Sequence, residues 1–382
     1  FDGSTGVDQS ELVSEQPARD GSRADGLANL PFQPPLKPML AKAVVGIPER
    51  DDLAFEPKWD GFRCIVFRDG ADVHLGSRNS KPLTRYFPEL LDPIRDQLPD
   101  RVIFDCEIIV ALENRLEFDQ LQQRIHPAES RVNMLAEKTP ADIVAFDLLA
   151  VGDQDLRGSP FGERRAQLEA VFADVSAPLH LTPLTRDHDI AHQWFVDFEG
   201  AGLDGLIAKP MAEPYAENKR SQLKVKHIRS ADVVVAGYRI HKDGNGVGSL
   251  MLGLFDDDGA LRHVGVAASF TAARRVELLD ELEPLTENAL EDHPWATWSE
   301  AGAQQQHRWN ANKDMGWLPI RPEWVAEIKY GSTLNGRFRE VTKMLRWRHD
   351  KEPSQCDYDQ LDEPVPIGLD KVLKPERSGE TS

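Results

Sequence analysis

The pattern of short apolar runs changes near residues 229–232, and this change limits what the chain can fold into. Before it, apolar strand candidates such as 102–111 and 141–150 alternate with segments that have helical apolar spacing. After it, short strand candidates with hairpin turns follow one another, with one helix near 271–282. A chain of 382 residues is long enough for two domains. We therefore predict an α+β domain over 31–230 and an all-β domain over 231–353.

The all-β part and the two chain ends each have their own character. Several short strands and one helix within about 120 residues are typical of a small OB-fold barrel. Residues 1–30 are rich in Gly, Ser, Asp and Glu, which predicts a disordered arm. Residues 354–382 are predicted to form a flexible C-terminal tail.

Composition argues against several classes of protein. No stretch approaches the ~20 apolar residues of a membrane-spanning helix, and residues 1–20 are polar and acidic, unlike a secretory signal. Cys64, Cys106 and Cys356 are widely spaced and odd in number, which argues against a disulfide framework and a four-cysteine zinc site. We expect a monomer in a reducing cytoplasm, with no membrane association.

The distribution of charge matters more than its total. The net charge of −19 argues against a nucleic-acid partner, because phosphate binding depends on Lys and Arg. The two ends carry much of that acidity, whereas residues 214–230 hold 5 bases against 1 acid and residues 337–351 hold 6 against 2. Since local charge decides binding, DNA remains a possible partner.

The segment 56–63, Glu-Pro-Lys-Trp-Asp-Gly-Phe-Arg, is the first candidate for chemistry. Pro57 forces an extended approach, and the Asp-Gly pair at 60–61 offers a tight turn. Together they would hold Lys58 at a strand end, facing a cleft. A lysine attacks phosphorus only when deprotonated, so it needs neighbouring cations, a metal or burial. From this segment alone, a nucleophile and a solvated lysine on a surface hairpin remain equal alternatives.

Seven short segments, in order, resemble the motifs of the covalent nucleotidyltransferases, which include DNA ligases and mRNA capping enzymes. Lys58-x-Asp60-Gly61-x-Arg63 is similar to the lysine motif of that superfamily. Six segments follow in the family's order: 77–79 (Ser-Arg-Asn), 104–107 (Phe-Asp-Cys-Glu), 146–147 (Phe-Asp), 204–209 (Asp-Gly-Leu-Ile-Ala-Lys), 223–226 (Leu-Lys-Val-Lys) and 348–351 (Arg-His-Asp-Lys). Each match alone is weak evidence, but the probability that all seven occur in this order by chance is the product of seven small probabilities.

Residues 324–353 indicate which branch of this superfamily the chain resembles most. They contain Gly-Arg-Phe-Arg at 336–339 and Leu-Arg-Trp-Arg at 345–348. This run looks most like the stand-alone bacterial ATP-dependent DNA ligases of the C type, relatives of the ligase domain of bacterial end-joining ligases. The resemblance implies an ATP-grasp-like ligase (nucleotidyltransferase) domain followed by an OB-fold barrel. It also implies an enzyme of DNA repair that seals nicks in duplex DNA through a lysyl-AMP intermediate.

The resemblance assigns a role to each matching residue. Lys58 would carry AMP, Glu56 would read the adenine, and Phe146 would stack on it. Arg63 and Glu107 would hold the ribose, with Arg78 near it. The implied cofactor-binding residues are Glu56, Arg63, Arg78, Glu107, Phe146 and Lys209. The implied catalytic residues are Lys58, Lys224 and Lys226 at the α-phosphate, and Arg348, Asp350 and Lys351 at the pyrophosphate. Mg²⁺ or Mn²⁺ would bind Asp204 and Glu107.

Two positions depart from the family's pattern. Position 106 is Cys where Gly is usual, so the strand there is more crowded. Position 204 is Asp where Glu is usual, and a carboxylate shorter by one methylene changes how a metal can be bound.

Two other functions remain open at the level of sequence. One is a related transferase, either an RNA ligase or a GTP-using capping enzyme, and the ligase-like run at 324–353 argues against it. The other is a non-catalytic OB-type DNA-binding protein, and the intact lysines argue against that. The partners implied by the resemblance are nicked duplex DNA and a gap-filling primase-polymerase, in a nucleoid-associated setting.

Overall fold

The structure, a computed structural model, describes residues 24–296, 316–334, 336–361 and 364–374. The strands are β1 Ala41–Val44, β2 Leu53–Pro57, β3 Phe62–Asp69, β4 Asp72–Ser77, β5 Arg101–Leu112, β6 Arg115–Leu116, β7 Ala141–Val151, β8 Gln154–Asp155, β9 Leu179–Leu181, β10 Leu206–Pro210, β11 Gln222–Val225, β12 Arg229–Ile240, β13 Val247–Phe255, β14 Leu261–Ala268, β15 Leu318–Tyr330, β16 Thr333–Leu334, β17 Arg337–Phe338 and β18 Lys343–Trp347. The α-helices are α1 Leu91–Gln97, α2 Phe118–Gln123, α3 Glu129–Lys138, α4 Phe161–Val171, α5 His188–Asp197, α6 Ala272–Leu282 and α7 Leu369–Leu373.

The first domain contains two β-sheets. The smaller sheet has the strand order β1-β11-β10-β2, and the larger has β4-β3-β5-β7-β8, with β6 beside β5 and β9 beside β7. Pairing is antiparallel except for β1 with β11 and β9 with β7. The apolar runs predicted at 102–111 and 141–150 are the central strands β5 and β7, so the mixed α and β character is confirmed.

Both faces of the larger sheet are covered. Successive side chains of a strand point to opposite faces, so Val66 packs with the core that contains Ile94 of α1 and Leu168 of α4. Its neighbour Phe67 faces the other side, in a core that also contains Leu27. Burial on both faces explains why β5 and β7 are almost continuously apolar.

The N-terminal arm, predicted to be disordered over 1–30, is ordered where the structure describes it. Residues 1–23 lie outside the described residues, but Ala24–Leu27 form a 3₁₀ turn. Leu27 and Leu30 are buried against the sheet face that carries Phe67. The prediction was wrong for 24–30 because composition averaged over thirty residues hides two leucines that cover an apolar face.

The C-terminal tail, predicted to be flexible over 354–382, is also ordered in its described parts. Cys356 is buried in the core of the second domain. Further on, α7 packs against the first domain, with Leu369 and Val372 buried beside Trp194. A mostly polar segment can dock with two apolar side chains on one helical turn, which its overall composition does not reveal.

The second domain is built on a curled five-stranded sheet with the order β14-β13-β12-β15-β18. Its core includes Val235, Leu252 and Leu278, the last from α6. The hydroxyl of Thr271 accepts a hydrogen bond from the Arg274 N–H and so caps α6. The boundary predicted near 229–232 falls within the first residues of β12, where the chain enters this sheet.

None of the helices in the described ranges has the length and hydropathy needed to cross a membrane.

Candidate active site

Lys58 follows β2 and is fixed by backbone hydrogen bonds to the start of β10. Its N–H donates to the Gly205 carbonyl at 2.8 Å, and its own carbonyl accepts from the Asp204 N–H at 3.1 Å. β2 and β10 are antiparallel neighbours, with Pro57 opposite Leu206. The strand end predicted for Lys58 is therefore real, and its position depends on a segment far along the chain.

Two glycines allow strands to approach closely beside Lys58. Gly205 has a φ of +127°, and a Cβ there would lie 2.0 Å from the Val225 carbonyl oxygen. A Cβ on Gly61 would lie 2.1 Å from the Ile108 carbonyl oxygen. Any larger residue at either position would push β11 or β5 away from the lysine.

The Lys58 ammonium group lies in a compact group of charges. Lys58 Nζ is 2.5 Å from Asp204 Oδ2, and Lys226 Nζ is 2.7 Å from the same oxygen. Burial alone would raise the pKa of Asp204, but the two lysines outweigh it and hold that pKa below its ordinary value. One carboxylate thus keeps two predicted phosphate-site lysines together.

One cavity of about 250 Å³ collects most of the residues predicted from the sequence. Lys58 lines it near the join between the two sheets of the first domain. The predicted site residues that line it are Glu56, Lys58, Arg63, Arg78, Glu107, Phe146, Lys209 and Lys224. These residues lie between positions 56 and 224, so the fold brings eight of the predicted residues to one pocket.

Glu56 lies on the wall of this cavity and is almost completely buried. Its Oε2 is 2.7 Å from Lys209 Nζ, and its Oε1 is 3.4 Å from Arg165 on α4. Burial raises the pKa of Glu56 and lowers the pKa of Lys209, and the ion pair between them opposes both shifts. The two cations therefore fix both oxygens of the Glu56 carboxylate.

Arg63 and Phe146 form a second wall. Arg63 makes two hydrogen bonds to the Asp105 carboxylate, at 2.6 and 2.7 Å, and its guanidinium lies 4.5 Å from the centre of the Phe146 ring. Tyr215 donates a further hydrogen bond to Asp105 at 2.6 Å. Lys209 donates to the Phe146 carbonyl at 2.9 Å, which ties this wall to Glu56.

Glu107 is the second predicted metal ligand. Burial raises its pKa to about 7, Arg63 and Lys58 oppose the rise, and the negative charges of Asp60 and Asp105 add to it. A carboxylate with this pKa is only partly ionised at neutral pH, and an added positive charge would favour its ionised form. Two carboxylates suit Mg²⁺, which commonly binds one or two of them together with substrate phosphates. The described residues contain no group of three or more potential ligands close enough to hold an ion alone.

Arg348, Asp350 and Lys351 are not in this cavity. Arg348 pairs with Asp232 at 3.0 Å and with Asp350 at 2.9 Å, and Lys351 also pairs with Asp232 at 3.1 Å. All four residues belong to the second domain. In this arrangement of the domains the predicted pyrophosphate group is assembled, but it is separate from Lys58.

Two other residues of the second domain do reach the charges around Lys58. Glu340 lies 3.3 Å from Lys226, and Arg339 is ion-paired with Asp60. The Arg339 guanidinium also lies 5.0 Å from the centre of the Phe118 ring. The second domain is thus held against the first by contacts from the segment that follows β17.

Three residues of this site had no role in the sequence interpretation. Asp105 was part of a matched motif, and its position inside an apolar strand was the available signal. Tyr215 and Arg165 had no such signal, because a tyrosine in a loop and an arginine on a helix are common at protein surfaces. Only the buried contacts of Tyr215 with Asp105 and of Arg165 with Glu56 reveal them.

A lysine at a strand end, beside a cavity lined by cations and a buried aromatic ring, fits the class that the motifs resemble, the covalent nucleotidyltransferases. Comparison with known proteins identifies the family. Residues 38–226 match the ATP-dependent DNA ligase domain, and residues 243–351 match the ATP-dependent DNA ligase C-terminal region. The chain belongs to the ATP-dependent DNA ligase family, and it is an ATP-dependent DNA ligase.

Individual relatives agree with this assignment. The chain is 51% identical to DNA ligase C of Mycobacterium tuberculosis, over 90% of this chain and 98% of that protein. It is 31% identical to the multifunctional non-homologous end joining DNA repair protein LigD of the same species, over 84% of this chain and 39% of that protein. A solved Lig E DNA ligase structure, with 17% identity and a TM-score of 0.51, covers 82% of this chain and 99% of its own. That last likeness shows the fold alone.

Proposed function

We propose that this enzyme seals nicks in duplex DNA, in DNA repair, through an AMP group carried on Lys58. The observation that carries the proposal is the single cavity that holds Lys58 with the predicted base-recognition residues Glu56 and Phe146 and the cations Arg63 and Lys224. A nucleotide bound there would have its base against an aromatic ring and its phosphates among positive charges, as phosphoryl transfer requires.

The reaction has three balanced steps. Lys58 Nζ attacks the α-phosphorus of ATP, a P–N bond forms, and the bond to pyrophosphate breaks. The 5′-phosphate at the nick then takes AMP from the lysine. The 3′-hydroxyl finally attacks that phosphate and releases AMP. Attack needs a neutral amine, so the ion pair between Lys58 and Asp204 must separate before the first step.

The second lysine pair supports transfer at the α-phosphate. Lys224 lines the cavity, and Lys226 lies beside Lys58 through their shared partner Asp204. Burial lowers the pKa of Lys224, and the positive charges of Lys226, Lys58 and Arg78 lower it further. A dense group of cations of this kind is stabilised when an anionic phosphate enters it.

A divalent ion, Mg²⁺ or Mn²⁺, would be held by Asp204 and Glu107 together with phosphate oxygens. Burial raises the pKa of Glu107 to about 7, and an ion bound there would lower that pKa and keep the carboxylate ionised. The ion would neutralise charge on the phosphates.

We also propose the architecture of the second domain and the setting in which the enzyme works. The second domain would be a closed OB-fold barrel, which is supported by the hydrogen bonds of Thr342 to Val266 and Ala268 where the two sheet edges meet. The adenylation domain would cover 31–230 and the OB-fold domain 231–353. The enzyme would act as a cytoplasmic, nucleoid-associated monomer beside a gap-filling primase-polymerase, an expectation that rests on resemblance.

Covalent labelling tests the nucleophile. Wild-type protein incubated with α-labelled ATP and magnesium should form a protein–AMP adduct that is acid-labile and alkali-stable, as a P–N bond requires. Lys58→Ala should abolish the adduct, because the attacking atom is lost. Lys138→Ala, which changes an exposed lysine on α3, is the matched control and should label normally.

Two further arms complete this experiment. Labelled GTP should give no adduct, which separates a ligase from a capping enzyme, and a nicked duplex with DNA or RNA on each side reports strand preference. An undiminished adduct in Lys58→Ala would show that another residue is the nucleophile.

A further inference from the structure

Arg165 lies behind the wall of the nucleotide cavity, where no sequence motif placed a functional residue. It is the fifth residue of α4, and its side chain is 7% exposed. It does not line the cavity, but it contacts the carboxylate of Glu56, which does. An arginine buried this deeply needs partners for its charge, and the identity of those partners indicates what it does.

The contacts of Arg165 connect three parts of the site. Its guanidinium donates to Glu56 Oε1 at 3.4 Å and to the Thr182 carbonyl at 2.9 Å. The Thr182 hydroxyl in turn accepts a hydrogen bond from the indole N–H of Trp59, the residue after Lys58. A third contact of Arg165, to Glu169 at 2.7 Å, lies one helical turn away at the surface.

We propose that Arg165 is a positioning residue for base recognition, which holds the Glu56 carboxylate in place as an acceptor for the exocyclic amino group of adenine. This rests on the proposed function, in which Glu56 reads the base. Lys209 fixes one carboxylate oxygen and Arg165 the other, so the plane of the group is set by two cations on different elements. Charge-assisted hydrogen bonds of this type are the strongest that side chains make.

Base preference follows from the chemistry of the group that faces the carboxylate. Adenine presents an amino group, which donates to a carboxylate. Guanine and hypoxanthine present a carbonyl oxygen at the same position, which a carboxylate repels. A site built to accept a hydrogen bond rejects an analogue that cannot donate one, because its buried polar group is then left unpaired.

The protonation of Glu56 gives a second readout. Burial raises the pKa of Glu56, with Asp147 adding to the rise, while Lys209 and Arg165 oppose it. Removing Arg165 should therefore raise that pKa further. Since the protonated carboxyl group is the weaker acceptor, the acidic limb of the pH profile for ATP labelling should move to higher pH.

The test compares covalent labelling by ATP and by inosine triphosphate, which carries a carbonyl oxygen in place of the amino group. In Arg165→Gln we expect KM for ATP to rise more than the saturated rate falls. The preference for ATP, expressed as the ratio of kcat/KM values, should fall by about tenfold or more, the value of one hydrogen bond to a charged group. Arg165→Lys keeps the charge and should restore part of the preference.

A matched control removes the surface contact of Arg165 with Glu169. Glu169→Gln loses the surface ion pair but keeps the pairing with Glu56, so both KM values should remain as in the wild type. Equal losses with the two nucleotides in both Arg165→Gln and Arg165→Lys would overturn the proposal, because a residue that only supports the fold does not distinguish bases. Failure of the proposed function would appear separately, as wild-type protein that ATP does not label.

Discussion

Asp204 is closer to the nucleophile than its place in a matched motif suggested. Its carboxylate is shared by Lys58 and Lys226, at 2.5 and 2.7 Å. The side chain is shorter by one methylene than the glutamate usual in the family, yet it reaches both lysines. A metal that binds Asp204 must compete with these ion pairs, which links metal binding to release of the nucleophile.

Substitution of Asp204 tests that link. Asp204→Asn should slow adduct formation by about tenfold to a hundredfold and raise the metal concentration needed, because the amide is a poor ligand for a hard cation. Asp204→Glu should retain activity, since it restores the charge and the usual residue of the family. The measurement is the labelling rate across a magnesium titration. Wild-type rates and metal dependence in Asp204→Asn would show that the position is structural.

Among the secondary-structure elements, α7 has a role that its length does not suggest. It has five residues, yet it returns the chain to the first domain after the second domain is complete. The Leu369 N–H donates to the Asn114 carbonyl at 2.7 Å, and Leu369 and Val372 are buried. The helix therefore covers apolar surface of the domain that holds the active site.

Truncation of an α7 side chain should measure this contribution. Leu369→Ala should lower the free energy of unfolding by about 2 kcal/mol, because it removes a buried leucine and leaves a cavity. Lys371→Ala changes an exposed position of the same helix and should be neutral within about 0.5 kcal/mol. Urea unfolding of the full chain gives both values. If the two variants unfold alike, α7 does not stabilise the folded chain.

At the scale of the whole molecule, the second domain presents one face to the active site while the reaction requires another. Glu340 and Arg339 contact Lys226 and Asp60, whereas Arg348 and Lys351 are gathered around Asp232, away from the cavity. If the latter group serves the pyrophosphate, the domain must rotate, and the Glu340 and Arg339 pairs must break first. Rotations of this kind about a junction between domains are common.

Rotation of the second domain predicts that self-adenylation, the first step, and nick sealing, the last step, respond differently to mutation of this cluster. Arg348→Ala or Lys351→Ala should cut self-adenylation by about a hundredfold, because each removes positive charge from the forming pyrophosphate. Either variant should still seal a nick that is supplied already adenylated, since that step needs no ATP. The measurements are adduct formation with ATP and sealing of pre-adenylated nicked DNA.

The control for this prediction is Arg346 on β18, just before the cluster. Arg346→Ala removes an exposed arginine paired with Glu327, and its rate of adduct formation should not change. Equal losses of both steps in Arg348→Ala would mean that the cluster supports the fold or binds DNA, and the domain rotation would then be unnecessary.

The sequence by itself determined the two central strands of the first domain and, through the resemblance of its motifs, the candidate nucleophile. The apolar runs at 102–111 and 141–150 are evident from local patterns, and they form the central strands β5 and β7. The tight turn predicted at Asp60 and Gly61 is absent, because the chain passes from β2 to β3 through irregular backbone with a bend at Gly61. Lys58 and most of the predicted nucleotide-binding residues lie in one cavity, because ordered motifs reflect a common fold. These features depend on residues close together in the chain or on a pattern shared by a family.

Only the tertiary structure decided which buried charges pair and which chain ends dock. Lys58 and Asp204 are 146 positions apart, and Arg165 and Glu56 are 109 apart. Leu27 lies in the segment predicted to be a disordered arm and Leu369 in the segment predicted to be a flexible tail, yet both are buried. The physical reason is that a buried side chain is stabilised by whatever distant surface or charge completes its environment, and that partner is brought close only when the sheets assemble.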